Sequence, residues 1–238
     1  MKKLSLLFTK DGLQWHISKG KTVLEEAFYF VTEETSPHLV EEKLDDVLKF
    51  DDYKEIEVIS ALNHFSLTPD TFAEHELGYK LISYNAPVDE ANEELMLSVN
   101  KRFAVQFYYT FPKHFYQKIK AKKLPTKFNF SGEKFLNALT VKNHKEIHIN
   151  LYHHQVEFFA FENKKVVLYN NLDADSEVDF LYFIMFSLSK INFGTAETHF
   201  HIYGETHENE TFISELRKFV KNIKLKDAGC WMLDVNSL

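Results

Sequence analysis

A single cysteine, Cys230, leaves the chain without any internal disulfide, which fits a reducing compartment. Proline and glycine are scarce, at five and seven residues, so long linkers, collagen-like repeats and low-complexity segments are not expected. Long apolar runs are missing as well. Met1-Lys2-Lys3 followed by Leu4-Ser5-Leu6-Leu7-Phe8 begins like a secretory signal, but Lys10 and Asp11 end the run too early for a signal core, and export is not expected. The most apolar stretch, Phe180 to Phe186, is flanked by Asp179 and Lys190 and is too short to span a bilayer, so it reads as a buried core helix. Net positive charge is also lacking. The formal charge of −7 favours solubility and argues against general binding to nucleic acid or anionic membrane. The expectation is a cytoplasmic protein without a membrane span.

What the chain does contain is core material and repetition. Hydrophobic residues make up 45% of it and aromatics 15%, enough for one large domain or two small ones. Leu4 to Phe8 reads as a strand, Lys10-Asp11-Gly12 as a hairpin turn, and Leu13 to Ser18 as the alternating partner strand. Lys19-Gly20-Lys21 leads into a third strand, Val23 to Val31. Ser36-Pro37 has the form of a helix start, with Leu39, Val40, Leu44, Val47 and Leu48 on one helical face, and a strand follows from Glu55 to Leu62.

The second half repeats that order. Strands are expected at Ile147 to Tyr152, Val156 to Phe161 and Val166 to Asn170, joined at His153-His154 and Asn163-Lys164. Ser176 with Asp179 resembles a capping box for a helix through Leu188, and His199 to Gly204 reads as the next strand. Phe212, Ile213, Leu216, Phe219 and Val220 define an amphipathic helix begun near Asn209. The spacing of Leu4, Leu13 and Val23 recurs in Ile147, Val156 and Val166, which predicts an internal duplication with lobes at 1–142 and 143–238. The middle stretch, Phe65 to Lys142, reads as the rest of the first lobe plus an inserted subdomain. It holds a helix opened by Thr71 and Glu74, a hairpin of Leu95 to Val99 with Phe103 to Phe111, and a helix from Lys113.

Two copies of a three-strand meander, a helix and a further strand resemble the ribonuclease H-like lobes of the actin-like ATPase superfamily, which includes hexokinases and type IV pilus assembly proteins. Asp179-Phe180-Leu181-Tyr182-Phe183, His201-Ile202-Tyr203-Gly204-Glu205 and Phe65-Ser66-Leu67-Thr68-Pro69 look similar to a bacterial family, domain-of-unknown-function family 3822, a distant relative of those pilus proteins. The resemblance covers nearly the whole chain and implies an α/β, two-lobed actin-like fold. It also implies where a nucleotide would bind: an Asp-x-Gly turn in each lobe would hold metal and place backbone N–H groups against phosphates. Here the first turn has Asp11-Gly12 at a hairpin tip, the second lobe offers Asn150 before Tyr152-His153-His154 with no glycine, and Gly204 alone stands where the superfamily has a Gly-Gly segment. An inter-lobe site for ATP and magnesium would therefore draw on Asp11, Gly12, Asn150 and Gly204. The departures point instead to no cofactor and no ATP hydrolysis.

Other chemistry is sparse. His148 on one strand and His199 and His201 on another fall on polar rows opposite Ile147, Ile149, Leu151, Phe200 and Ile202, and the two strands are neighbours in the expected fold. Such a face could line a cleft, a wet interface or a metal site, although stacked aromatic and histidine side chains on a half-buried sheet are the plainer expectation and no close zinc-ligand motif is present. Asp173, Asp175, Glu177 and Asp179 run into a helix without a glycine and read as dipole-complementing acids rather than a calcium loop. The lysines from Lys113 to Lys127 read as a solvated helix face that could touch RNA phosphates. No catalytic constellation is found: there is no nucleophile elbow and no Walker loop. The expected role is a catalytically inactive scaffold or adaptor with a protein partner. A nucleotide-binding switch and an RNA-associated accessory protein are the alternatives.

Overall fold

The computed structural model describes residues 2–32, 34–36, 38–50, 52–152, 155–174 and 176–226. Pro37, Asp175, the turn at His153-His154 and Cys230 lie outside the described residues. Described residues up to Lys134 form one compact unit and those from Phe135 onward a second.

The first unit opens with β1 (Lys2–Thr9), β2 (Gly12–Lys19) and β3 (Thr22–Phe30), followed by α1 (Leu39–Leu48) and β4 (Tyr53–Ser60). β1 pairs antiparallel with β2 and parallel with β4, as a helical crossover allows. Leu4, Leu6 and Phe8 of β1 meet Leu44, Val47 and Leu48 of α1 in one apolar cluster, so the expected helical stripe is the buried one. The helix begins later than Ser36-Pro37 suggested. Its N-cap is His38, and Ser36 Oγ accepts from the His38 N–H at 3.1 Å, forming a turn ahead of the helix rather than its cap.

The middle of the unit holds β5 (Phe65–Pro69), a 3₁₀ turn at His75–Leu77, α2 (Gly78–Ser83), β6 (Glu93–Asn100), β7 (Val105–Pro112) and α3 (Lys113–Lys120). β5, β7 and β6 make a separate antiparallel sheet in which β7 is central. The helix expected from Thr71 does not form. Gln106 on β7 donates to the Phe72 carbonyl at 2.6 Å and ties that segment down, so helical structure waits until His75. β8 (Thr126–Phe130), which the sequence reading missed, adds parallel to β4 and completes the order β3-β2-β1-β4-β8. α4 (Ser131–Ala138) follows it.

The second unit continues with β9 (Glu146–Tyr152), β10 (Gln155–Glu162), β11 (Lys165–Asp173), α5 (Glu177–Lys190), β12 (His199–Gly204), α6 (Glu210–Arg217) and β13 (Ile223–Leu225). Its sheet runs β11-β10-β9-β12-β13, the same order as the first sheet, with β9 antiparallel to β10 and parallel to β12. Asn163 and Lys164 both adopt positive φ in the tight β10–β11 turn, and Ser176 caps α5 by accepting from the Asp179 N–H. Ile147, Ile149, Leu151, Phe200 and Ile202 pack with Phe180, Ile184 and Leu188 of α5 and with Ile213 and Leu216 of α6. α5 is not buried all round, however. Val178, Tyr182 and Phe186 are 74%, 59% and 48% exposed, so the apolar run from Phe180 to Phe186 covers a core face and a surface face alike. Among the described residues, no helix is long and apolar enough to cross a membrane.

The other face of the first sheet carries an ion cluster. Glu57 of β4 is buried and receives Lys3 Nζ at 2.7 Å, Lys134 Nζ at 3.0 Å and the Asn129 amide at 2.8 Å. Burial pushes this carboxyl up, but Lys134 and Lys3 outweigh it and hold it below its ordinary 4.5. Its contribution to stability is therefore whole above pH 4.5 and is lost as pH falls through the lower folded value. Glu57→Gln leaves two largely buried ammonium groups without a carboxylate, and is expected to cost about 3 kcal/mol at neutral pH. Urea unfolding followed by circular dichroism should also show a shallower loss of stability below pH 4.5 in the variant; an unchanged acid limb would remove this role for Glu57.

Candidate functional site

β9 and β12 run parallel with His199 opposite Glu146, His201 opposite His148, and Tyr203 opposite Asn150. Paired residues share a face, so alternation sends every one of these side chains to the side away from α5 and α6. That face is buried, with His148, Glu146 and Asn150 at 0–1% exposure and His201 at 9%. The polar rows read from the sequence do point the same way, and they lie in the interior.

Glu146 is the centre of the arrangement. His148 Nε2 stands 3.5 Å from one carboxylate oxygen and His201 Nε2 3.3 Å from the other, while the Lys142 backbone N–H donates at 2.8 Å. His144 Nε2 lies 3.0 Å from Glu146 but off the line of a hydrogen bond. The His148 and His201 rings stack at 4.6 Å, and His148 Nδ1 is bonded to the Tyr203 hydroxyl at 3.0 Å. Phe135 closes over this corner against Phe159 and Tyr203.

The electrostatics follow from the burial. Desolvation pushes the Glu146 carboxyl up, but the His148 hydrogen bond, the Lys142 N–H and the neighbouring imidazoles prevail and hold it at about 2. Burial, then repulsion from His148, lowers His201 to about 4 against the pull of Glu146. Burial and the Glu146 charge raise Tyr203 to about 12. At neutral pH the cluster thus holds an anionic carboxylate, a neutral His201 and a phenol.

Of the three histidines on the polar rows, the structure brings His148 and His201 together and leaves His199 aside, its ring against His144 at 4.3 Å. The third member of the group is Glu146, with one ligand atom from each of the three side chains all within 4.8 Å of one another. The expected strand starts at Ile147, one residue short of Glu146. The two-residue period running back from His148 was the available signal.

The nucleotide candidates each have a local explanation. The Asp11 carbonyl accepts from the Val31 N–H at the hairpin end, and a Cβ on Gly12 would stand 2.1 Å from the Tyr29 carbonyl oxygen. Gly204 has φ of +83°, and a Cβ there would stand 2.1 Å from the Leu151 carbonyl oxygen and 2.7 Å from the Asn150 side chain. Both glycines are demanded by strand backbones in close approach. Asn150 reaches Glu157 at 3.5 Å, and Tyr169 donates to the same Glu157 at 2.7 Å. In the lysine-rich segment, Lys118 is paired with Glu41 and Asp45, Lys113 donates to the Glu90 and Ala91 carbonyls, and Lys120 lies over Tyr116.

Tyr203→Phe removes the hydroxyl that partners a fully buried histidine nitrogen while keeping the ring against Phe135. The expected cost is about 1–3 kcal/mol in urea unfolding. A variant as stable as the parent would mean that His148 Nδ1 needs no partner from Tyr203.

This architecture is found in solved structures. A Bacteroides thetaiotaomicron protein with actin-like ATPase fold and unknown function matches with a TM-score of 0.80 at 20% identity, over 95% of this chain and 91% of that one. The cytoplasmic domain of EpsL, an inner membrane component of the Vibrio cholerae type II secretion system, matches with a TM-score of 0.56 at 8% identity, over 98% and 93% of the two chains. A chain of a PilM-PilN type IV pilus biogenesis complex matches with a TM-score of 0.58 at 9% identity, over 94% and 88%. The fold is that of the actin-like ATPases. No curated protein matches the sequence. The model of a family described as protein of unknown function, DUF3822, matches residues 1–223, and the chain belongs to that family.

Proposed function

We propose that this protein is a catalytically inactive actin-like-fold adaptor that binds a protein partner on the outer face of α5 and α6. The observation that carries the reading is a groove of about 850 Å³ between these helices, floored by Leu181 and Met185, with Tyr182 and Val178 beside it. Exposed aromatic and aliphatic side chains gathered on one helix face mark a contact surface more often than a solvated one. Glu177 and Glu210 stand at the groove in the first turns of their helices, and Glu215, paired with Lys218, lines it too. An apolar floor with acidic edges suits an amphipathic helix carrying lysine or arginine beside its apolar stripe. The similar chain in a PilM-PilN complex belongs to a protein assembly, which agrees with such a use of this fold.

The lack of an Asp-x-Gly turn near Asn150, together with the packing demands on Gly12 and Gly204, favours an adaptor over a nucleotide-binding switch. We read residues 1–142 and 143–238 as duplicated ribonuclease H-like lobes, supported by the common strand order of the two sheets. The single cysteine supports a cytoplasmic setting.

Two measurements test this. Thermal shift and calorimetry with millimolar ATP and magnesium should leave the protein unchanged, and sub-millimolar binding would favour the switch instead. A fluorescein-labelled Leu/Lys model helix should bind, more weakly at high salt, while its Leu/Glu counterpart should not. Tyr182→Asp should weaken binding about tenfold or more. Equal binding of both peptides, or none, would sink the groove as a partner site.

A further inference from the structure

The geometry points to a divalent metal site, best suited to zinc, formed by Glu146, His148 and His201 on the interior face of the second sheet. Two imidazoles and a carboxylate form a donor set zinc accepts, with water or a further side chain completing four-coordination. Ligands on a tetrahedral zinc at about 2.0–2.1 Å from the metal stand about 3.3–3.4 Å from one another. His201 Nε2 and His148 Nε2 lie 3.3 and 3.5 Å from the Glu146 oxygens, which is long for a charge-assisted hydrogen bond and close to the separation of co-ligands.

A second observation is independent of those distances. His144 Nε2 is buried without a hydrogen-bond partner, an unused imidazole nitrogen beside the cluster. His144 Nε2 stands 3.0 Å from Glu146, and its side chain is 35% exposed, which places it beside a fourth coordination position and on a path from solvent. Supporting contacts of the kind that orient metal ligands are also present: Tyr203 on His148 Nδ1 and the Lys142 N–H on Glu146. Coordination requires the near-parallel His148 and His201 rings, 22° apart, to tilt toward each other. The polar face then serves as a metal-holding interior.

The test uses the full chain, dialysed against a chelator and titrated with zinc alone, then with cobalt as a spectroscopic substitute. One zinc per chain with micromolar or tighter affinity, a raised melting temperature, and visible d–d bands on cobalt addition are expected. His201→Gln and His148→Gln should each weaken uptake about tenfold or more, whereas His207→Gln, at an exposed position, should not. Circular dichroism of the metal-free variants separates lost binding from lost folding; should His148→Gln fail to fold, His201→Gln and the cobalt spectrum decide. No micromolar zinc uptake by the intact protein, or tight uptake retained in a folded variant of either histidine, overturns the site.

Discussion

The first strand of each meander lies at the centre of its sheet, antiparallel to one neighbour and parallel to the strand that returns through a helix. A central strand is covered on both faces, so every alternate side chain must find a place in the interior. In β1 and β9 one face meets this with leucine, isoleucine and phenylalanine against helices. The opposite face carries buried polar groups in both sheets, and polar groups taken out of water must bond to one another. Much of the structure around these strands follows from that requirement.

The two sheets meet it with opposite charge arrangements. Counting along the shared register, Lys3 of β1 occupies the place of Glu146 in β9, and Glu57 of β4 the place of His201 in β12. In the first sheet the carboxylate sits on the crossover strand and is neutralised by ammonium groups from β1 and α4. In the second the carboxylate sits on the central strand and is surrounded by imidazoles. One topology therefore holds a carboxylate among ammonium groups in one sheet and among imidazoles in the other.

Legibility of the elements depended on how local their causes were. The meanders, α5 with its Ser176 cap and the strand His199–Gly204 announced themselves through alternation and capping chemistry, which operate within a few residues. β5, β8 and β13 were missed because strands of three to five residues carry too few alternations to stand out. The helix expected at Thr71 failed because Gln106, far along the chain, holds Phe72 by its carbonyl, and no local signal reports a distant hydrogen bond. At the candidate site, the facing rows of His148 and His201 were readable from period two, while Glu146 lay one residue outside the strand as first drawn.

The sequence by itself determined the two meanders with the helix and strand that follow each, and the absence of familiar catalytic motifs, because these rest on spacing along one chain. Tertiary structure decided what those residues do. Strand pairing brings Glu146, His148 and His201 together across more than fifty residues, and close backbone approach gives Gly12 and Gly204 a structural reason to be glycine. It also turned a helix that reads as uniformly apolar into one with an exposed aromatic face, since burial depends on what lies opposite a side chain rather than on the side chain alone.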